Sequence, residues 1–330
     1  MIRPSDLAGC MPAIITFMRP DPTGQGGFSV DFEATADHAR NILRAGCAGV
    51  VVAGTTGQSA TITHDEQIRL AAVVGEAVRD EAQRLGRRAI LVVSAGSNAT
   101  HEAVHLSRNI LEAARPDALL HVTGYYNNPP QEGLVRHFSI VADMAAEHDA
   151  GIILYNVPTR TKSHLEVETV VELSRHPAIL AIKEASGDHD YLRRIAAETS
   201  REEFALISGE DGIVDFIMSL GGVGVISASA NVWPAQFQRL TELMATGDTA
   251  TAAALQQALL PCVEATFCVK NPIPAHHMLA SPLRLPLVSV SDLAPAHRAK
   301  CEAVVGRALA LRDFPGCSPA QSGNLARISA

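Results

Sequence analysis

Eight short apolar runs rich in β-branched residues recur along the chain, and they limit the fold more than any other feature. They read "PAIITFM" (12–18), "AGVVVAG" (48–54), "RAILVVSAG" (88–96), "ALLHVTGYY" (118–126), "GIILYNVP" (151–158), "ILAIKEAS" (179–186), "FALISGE" (204–210) and "GVGVISASA" (222–230). Each is nearly continuous in apolar residues and is followed by a stretch with helical spacing. Strands buried on both faces, as in a parallel sheet, need continuous rather than alternating patterns. Eight strand–helix units in succession predict an α/β chain folded as a (β/α)8 TIM barrel, a fold that accommodates 330 residues without a second core.

The barrel is expected over 1–245. Two further helical stretches, about 249–280 and 292–312, form a C-terminal helical appendage over 246–313, and the small polar residues of 314–330 read as a loose tail. "THDE" (63–66) has a capping-box pattern in which Thr63 and Glu66 satisfy the first free amides of a helix. The formal net charge of −8 argues against a nucleic-acid or anionic-membrane partner. Apolar stretches are too short and too often interrupted for a membrane span, and "MIRPSDLAGC" lacks a secretory core. Six cysteines without a CxxC pair suit reduced thiols and a cytoplasmic setting.

In such a barrel the chemistry gathers at the C-terminal ends of the strands. Those ends carry Thr55 and Thr56 from the second strand, Tyr125 and Tyr126 from the fourth, Tyr155 and Arg160 from the fifth, Lys183 from the sixth and Ser227 from the eighth. Lysine is scarce in the chain, at positions 162, 183, 270 and 300. A lysine at the mouth of a barrel, stripped of water, becomes a nucleophilic amine able to form a Schiff base. Position alone leaves a structural ion pair between Lys183 and Glu184, or another carboxylate, equally open.

Five motifs at corresponding strand ends narrow the choice: "GTTGQSAT" (54–61), "YYNNPPQEGL" (125–134), "YNVPTRT" (155–161), "IKEASGD" (182–188) and "GGVGVISASANVWP" (221–234). With "NPIP" (271–274) and "LRLPL" (283–287), the chain over about 10–312 resembles the dihydrodipicolinate synthase branch of the pyruvate-dependent class I aldolases. The resemblance implies that Lys183 attacks the ketone of pyruvate and that Tyr155 passes protons, with Thr55 and Tyr126 as relay partners. In the family the tyrosine matching Tyr126 reaches in from a neighbouring subunit. Thr56 and the backbone of Ile226 would hold the pyruvate carboxylate, and Arg160 the carboxylate of the second substrate. An arginine fork suits a carboxylate, and a hydroxyl relay moves protons without a fixed charge beside the amine.

The implied reaction joins pyruvate to L-aspartate 4-semialdehyde to give 4-hydroxy-tetrahydrodipicolinate, through a covalent Schiff base and with no metal or other cofactor. The same branch implies a homotetramer built from dimers. It also implies an L-lysine inhibitor site at Ser59, Ala60, His64, Asn98, Glu102 and Tyr125, where Gln67 stands in place of a frequent histidine. Rival readings keep the Schiff base with another aldehyde, as in N-acetylneuraminate lyase or 2-keto-3-deoxy sugar acid aldolases, or make the barrel a silent binder of oxo acids. "HEAVH" (101–105) formally matches a zinc-protease motif, yet reads as an exposed first helical turn, and His276–His277 as an exposed helix pair. Gly124 replaces a frequent proline, Gln58 replaces a frequent glutamate, and the segment between "NPIP" and "LRLPL" is short.

Overall fold

The structure, a computed structural model, describes residues 1–318. Its sheet has eight parallel strands: β1 (Gly9–Cys10), β2 (Gly49–Val52), β3 (Ile90–Ser94), β4 (Ala118–Val122), β5 (Gly151–Asn156), β6 (Ile179–Glu184), β7 (Ala205–Ser208) and β8 (Gly224–Val225). Neighbours follow chain order from β2 to β8, and β8 pairs with β1. The seam between β1 and β2 is closed by backbone bonds Ala48 N to Cys10 O, Val51 N to Pro12 O and Ile14 N to Val51 O. The first strand therefore begins at Gly9, earlier than the apolar run at 12–18 suggests. Met18–Pro20 leaves the barrel and pairs antiparallel with Phe28–Val30.

The helices named below are α1 (Phe32–Arg44), α2 (His64–Leu85), α3 (Thr100–Ala114), α4 (Gln131–Ala146), α5 (Pro158–Thr161), α6 (Val167–Leu173), α7 (His189–Glu198), α8 (Val214–Ser219), α9 (Pro234–Ala245), α10 (Thr249–Phe267), α11 (Ile273–Met278) and α12 (Pro295–Leu309). Alternation along each strand sorts side chains into two shells. Met11, Val51, Val92, Leu120, Ile153 and Ile207 fill the barrel interior. Val50, Val52, Leu119, Ile152, Leu154 and Ile182 pack outward against the helices. Both faces are dry, which explains the continuous apolar runs.

The capping box at the start of α2 is formed: Thr63 accepts from the Glu66 amide, and Glu66 accepts from the Thr63 amide. The same carboxylate receives a two-pronged contact from Arg284, both N–O distances being 2.7 Å. Arg284 is almost fully buried and also donates to the carbonyl of Phe28. Its backbone amide donates to Gln58 Oε1 at 3.1 Å, so the segment after "NPIP" is fastened to the loop that follows β2.

The appendage comprises α10, α11 and α12, with α12 packed on α10. His276 on α11 is fully buried, which corrects the expectation of an exposed helix pair. Its Nε2 lies 3.4 Å from Gln58 Nε2, and burial pulls its pKa down to about 4. His277 is exposed. Within the segment expected to be a tail, Phe314 is buried and the Gly316 carbonyl accepts from Arg239. Residues 319–330 of that segment lie outside the described residues. Among the described residues, no helix is long and apolar enough to cross a membrane, and all six cysteines are free thiols.

Candidate active site

Lys183 and Tyr155 sit opposite one another on β6 and β5, paired in register. Alternation turns both into the barrel, and each is 7% exposed. The amine lies over the tyrosine ring, with Nζ 4.1 Å from the ring centroid. Gly209 at the end of β7 gives the lysine its room: a Cβ there would come within 3.0 Å of Lys183 Cε.

The next residue, Glu184, points to the outer shell, as alternation requires. Its carboxylate accepts from Asn156 Nδ2 at 2.7 Å and from the Ser186 amide at 2.5 Å. An ion pair between Lys183 and Glu184 is thereby ruled out. Burial pushes the Glu184 carboxyl up to about 7, against the opposing pull of those two hydrogen bonds.

A cavity of about 320 Å³ opens above Lys183 at the C-terminal end of the barrel. Thr55, Thr56, Tyr155, Arg160, Lys183 and Ile226 all line it. Arg160 is carried there by α5, a single turn begun by Pro158, whose fixed φ suits the first helical position. Glu210, after β7, adds a carboxyl to the same wall. Its pKa is raised by burial, and the charges of Lys183 and Arg160 oppose that rise. Asp211 beside it is buried and accepts from the Ser229 amide at 2.8 Å, pinning the turn that follows Ile226.

A second cavity, of about 210 Å³, lies on the other side of Thr55 and Tyr155, which line both. Ser59, Ala60, His64, Gln67, Glu102 and Tyr125 form its walls. Asn98 is set back, locked to the Tyr125 backbone by Nδ2 to O at 2.7 Å and by N to Oδ1 at 2.6 Å. Glu102 accepts a hydrogen bond from the Ser97 hydroxyl.

The profile of the dihydrodipicolinate synthetase family matches residues 6–300. A 4-hydroxy-tetrahydrodipicolinate synthase of Methanoculleus marisnigri is 40% identical over 290 residues, covering 86% of this chain and 94% of that protein. One from Haloarcula marismortui is 39% identical over 293 residues, with coverage of 87% and 90%. The chain belongs to the dihydrodipicolinate synthetase family. The solved structure of a family member from Cyanidioschyzon merolae, with lysine bound, superposes with a TM-score of 0.82 at 32% identity, covering 93% of this chain and 99% of that one.

Measured against the family motifs, Tyr126 and Ser227 stand apart from both cavities. Tyr126 is 94% exposed, with a left-handed φ of 76°, and lines neither cavity. Ser227 is buried, its hydroxyl accepting from the Ala230 amide, so it shapes the β8 turn and leaves the wall to Ile226. "HEAVH" starts α3 with His101, Glu102 and His105 exposed. Among the described residues no group of three or more His, Cys, Asp or Glu side chains is placed to hold a metal ion.

Glu210, Phe267, Lys270 and Asn271 also line the main cavity and escaped the sequence reading. Glu210 ends the seventh apolar run, a strand end passed over there. Asn271 opens "NPIP", whose place in the appendage concealed its reach into the barrel mouth.

Proposed function

We propose that this chain is a lyase condensing pyruvate with L-aspartate 4-semialdehyde to 4-hydroxy-tetrahydrodipicolinate, a step towards lysine and diaminopimelate. The observation that carries the residue assignment is the register pair Lys183–Tyr155, facing one cavity with Thr56 and Arg160. The neutral amine of Lys183 adds to C2 of pyruvate, and loss of water gives an iminium. Removal of a C3 proton gives the enamine, whose C3 forms a bond to the aldehyde carbon of the second substrate. The amino group of that substrate then displaces Lys183 at C2 and closes the ring, so that one water is lost overall.

Tyr155 is the group best placed to move protons at these steps, since its ring flanks the amine. Thr55 borders both cavities, as a hydroxyl linking Tyr155 to further donors would. Thr56 and the backbone at Ile226 hold the pyruvate carboxylate, and Arg160 receives the carboxylate of the semialdehyde. The covalent imine supplies the electron sink, so the reaction as proposed uses no metal or organic cofactor.

Tyr126 completes the relay from a second subunit, in a homotetramer built from dimers. Its exposure and its absence from the walls of both cavities of its own subunit favour that reading. The second cavity takes L-lysine, and the enzyme works in the cytoplasm. The deciding experiment is a coupled assay with pyruvate across candidate aldehydes. Turnover highest with L-aspartate 4-semialdehyde supports the assignment, whereas preference for a sugar-derived aldehyde rejects it.

A further inference from the structure

We propose that Asn271, in the appendage, is a positioning residue that turns the hydroxyl of Thr56 into a hydrogen-bond donor towards the pyruvate carboxylate. The proposal rests on the reading of Thr56 given above. Asn271 Nδ2 donates to Thr56 Oγ1 at 3.1 Å, and both side chains are at least nine-tenths buried while lining the main cavity. A threonine hydroxyl has one proton and two lone pairs, and a carboxylate is purely an acceptor. With a lone pair occupied by the amide, the hydroxyl proton is free to point away from Asn271, into the space the substrate enters.

Stability alone gives a poor account of this contact. The hydrogen bond to Thr56 is the one side-chain bond Asn271 makes among the described residues, and its buried Oδ1 has no partner among them. Burying an amide with its acceptor unsatisfied costs free energy that an apolar side chain would avoid. The surroundings also fix the loop that Thr56 sits on. Thr16 donates to the Gly57 carbonyl at 2.6 Å, and Gln58 takes the Arg284 amide on Oε1. Gln58 is held in a left-handed conformation, φ 59°, between Thr16 and His276. With the loop fastened from the appendage side, Asn271 adds a constraint on the Thr56 hydroxyl itself.

The test is a double-mutant cycle of Thr56→Val and Asn271→Leu, read as pyruvate KM and kcat with the thermal midpoint as a folding check. Each single variant should raise pyruvate KM about tenfold with kcat within about twofold, the scale of one hydrogen bond to a charged group. The double variant should be no worse than the poorer single one, because Asn271 acts through Thr56. Asn271→Asp, which keeps the shape and removes the donor, takes the place of Asn271→Leu if the latter does not fold. An Asn271 effect that persists in full in the Thr56→Val background overturns the proposal. So does an unchanged KM in Asn271→Leu when Thr56→Val raises it. An unchanged KM in Thr56→Val instead rejects the carboxylate role of Thr56, and the proposal falls with it.

Discussion

Lys183 Nζ stands 4.1 Å from the centroid of the Tyr155 ring, and the two residues are register partners on adjacent strands. Strand register, rather than loop conformation, therefore sets the distance between the nucleophile and the tyrosine ring. The face of an aromatic ring favours a cation, so the Tyr155 ring is placed to steady the iminium once it forms.

Pyruvate with borohydride should attach a stable mass to Lys183, and Lys183→Ala should abolish it. Peptide mass mapping makes the assignment, and labelling that survives in the alanine variant would sink it.

Arg160 offers the means of separating the two substrates. Arg160→Ala should leave pyruvate trapping nearly intact while lowering kcat/KM for the semialdehyde by the equivalent of about 1.5–3 kcal/mol, the value of one charge-assisted contact. Steady-state kinetics with each substrate varied in turn decide the point. Unchanged semialdehyde kinetics count against the second-substrate role.

Tyr126 leads to a prediction about assembly. Lys183→Ala and Tyr126→Phe chains, each of low activity, should regain partial activity when mixed and allowed to exchange, because hybrid assemblies contain some complete sites. A lack of complementation after exchange has been verified by mass spectrometry argues for a site contained in one chain.

L-lysine should bind the cavity lined by His64, Glu102 and Tyr125 and inhibit in part. Glu102→Ala should relieve the inhibition without altering pyruvate KM, because Glu102 is the carboxylate there that can meet an ammonium. Calorimetry that detects no heat of binding at millimolar lysine rejects this site and leaves the catalytic assignment untouched.

Glu184 makes stability depend on pH. Its pKa in the folded chain is raised from 4.5 to about 7. Its contribution to stability is complete below the ordinary carboxylate value and is lost as pH rises through about 7, on the order of 3 kcal/mol at most. Glu184→Gln should flatten that part of the profile. Thermal midpoints across the range from about pH 5 to 8 provide the check, and equal slopes in the two proteins would refute the attribution.

The barrel was legible because parallel strands covered on both faces leave continuous apolar runs, and eight of them survive in this chain. Lys183, Tyr155, Thr55, Thr56 and Arg160 could be read from strand-end motifs because a barrel gathers those ends into one mouth. What the sequence hid were contacts between distant segments. Asn271 and Thr56 are 215 positions apart. Nothing in "HH" announces that the first histidine turns towards Gln58 while the second faces water. The direction of Glu184 was equally hidden, because strand alternation settles it only once the inner face of β6 is known.

The doubly engaged carboxylate of Glu66 bears on where this molecule can be divided. It finishes the first turn of α2 and also receives Arg284 from beyond the barrel. A chain cut after residue 245 would lose more than three peripheral helices. The helix after β2 would keep its cap with the carboxylate's second partner gone, Gln58 would lose the amide it accepts from, and the loop presenting Thr56 would be open along one side. The contacts of Arg284 with Gln58 and Glu66 span such a cut, so excision and domain grafting are better attempted elsewhere.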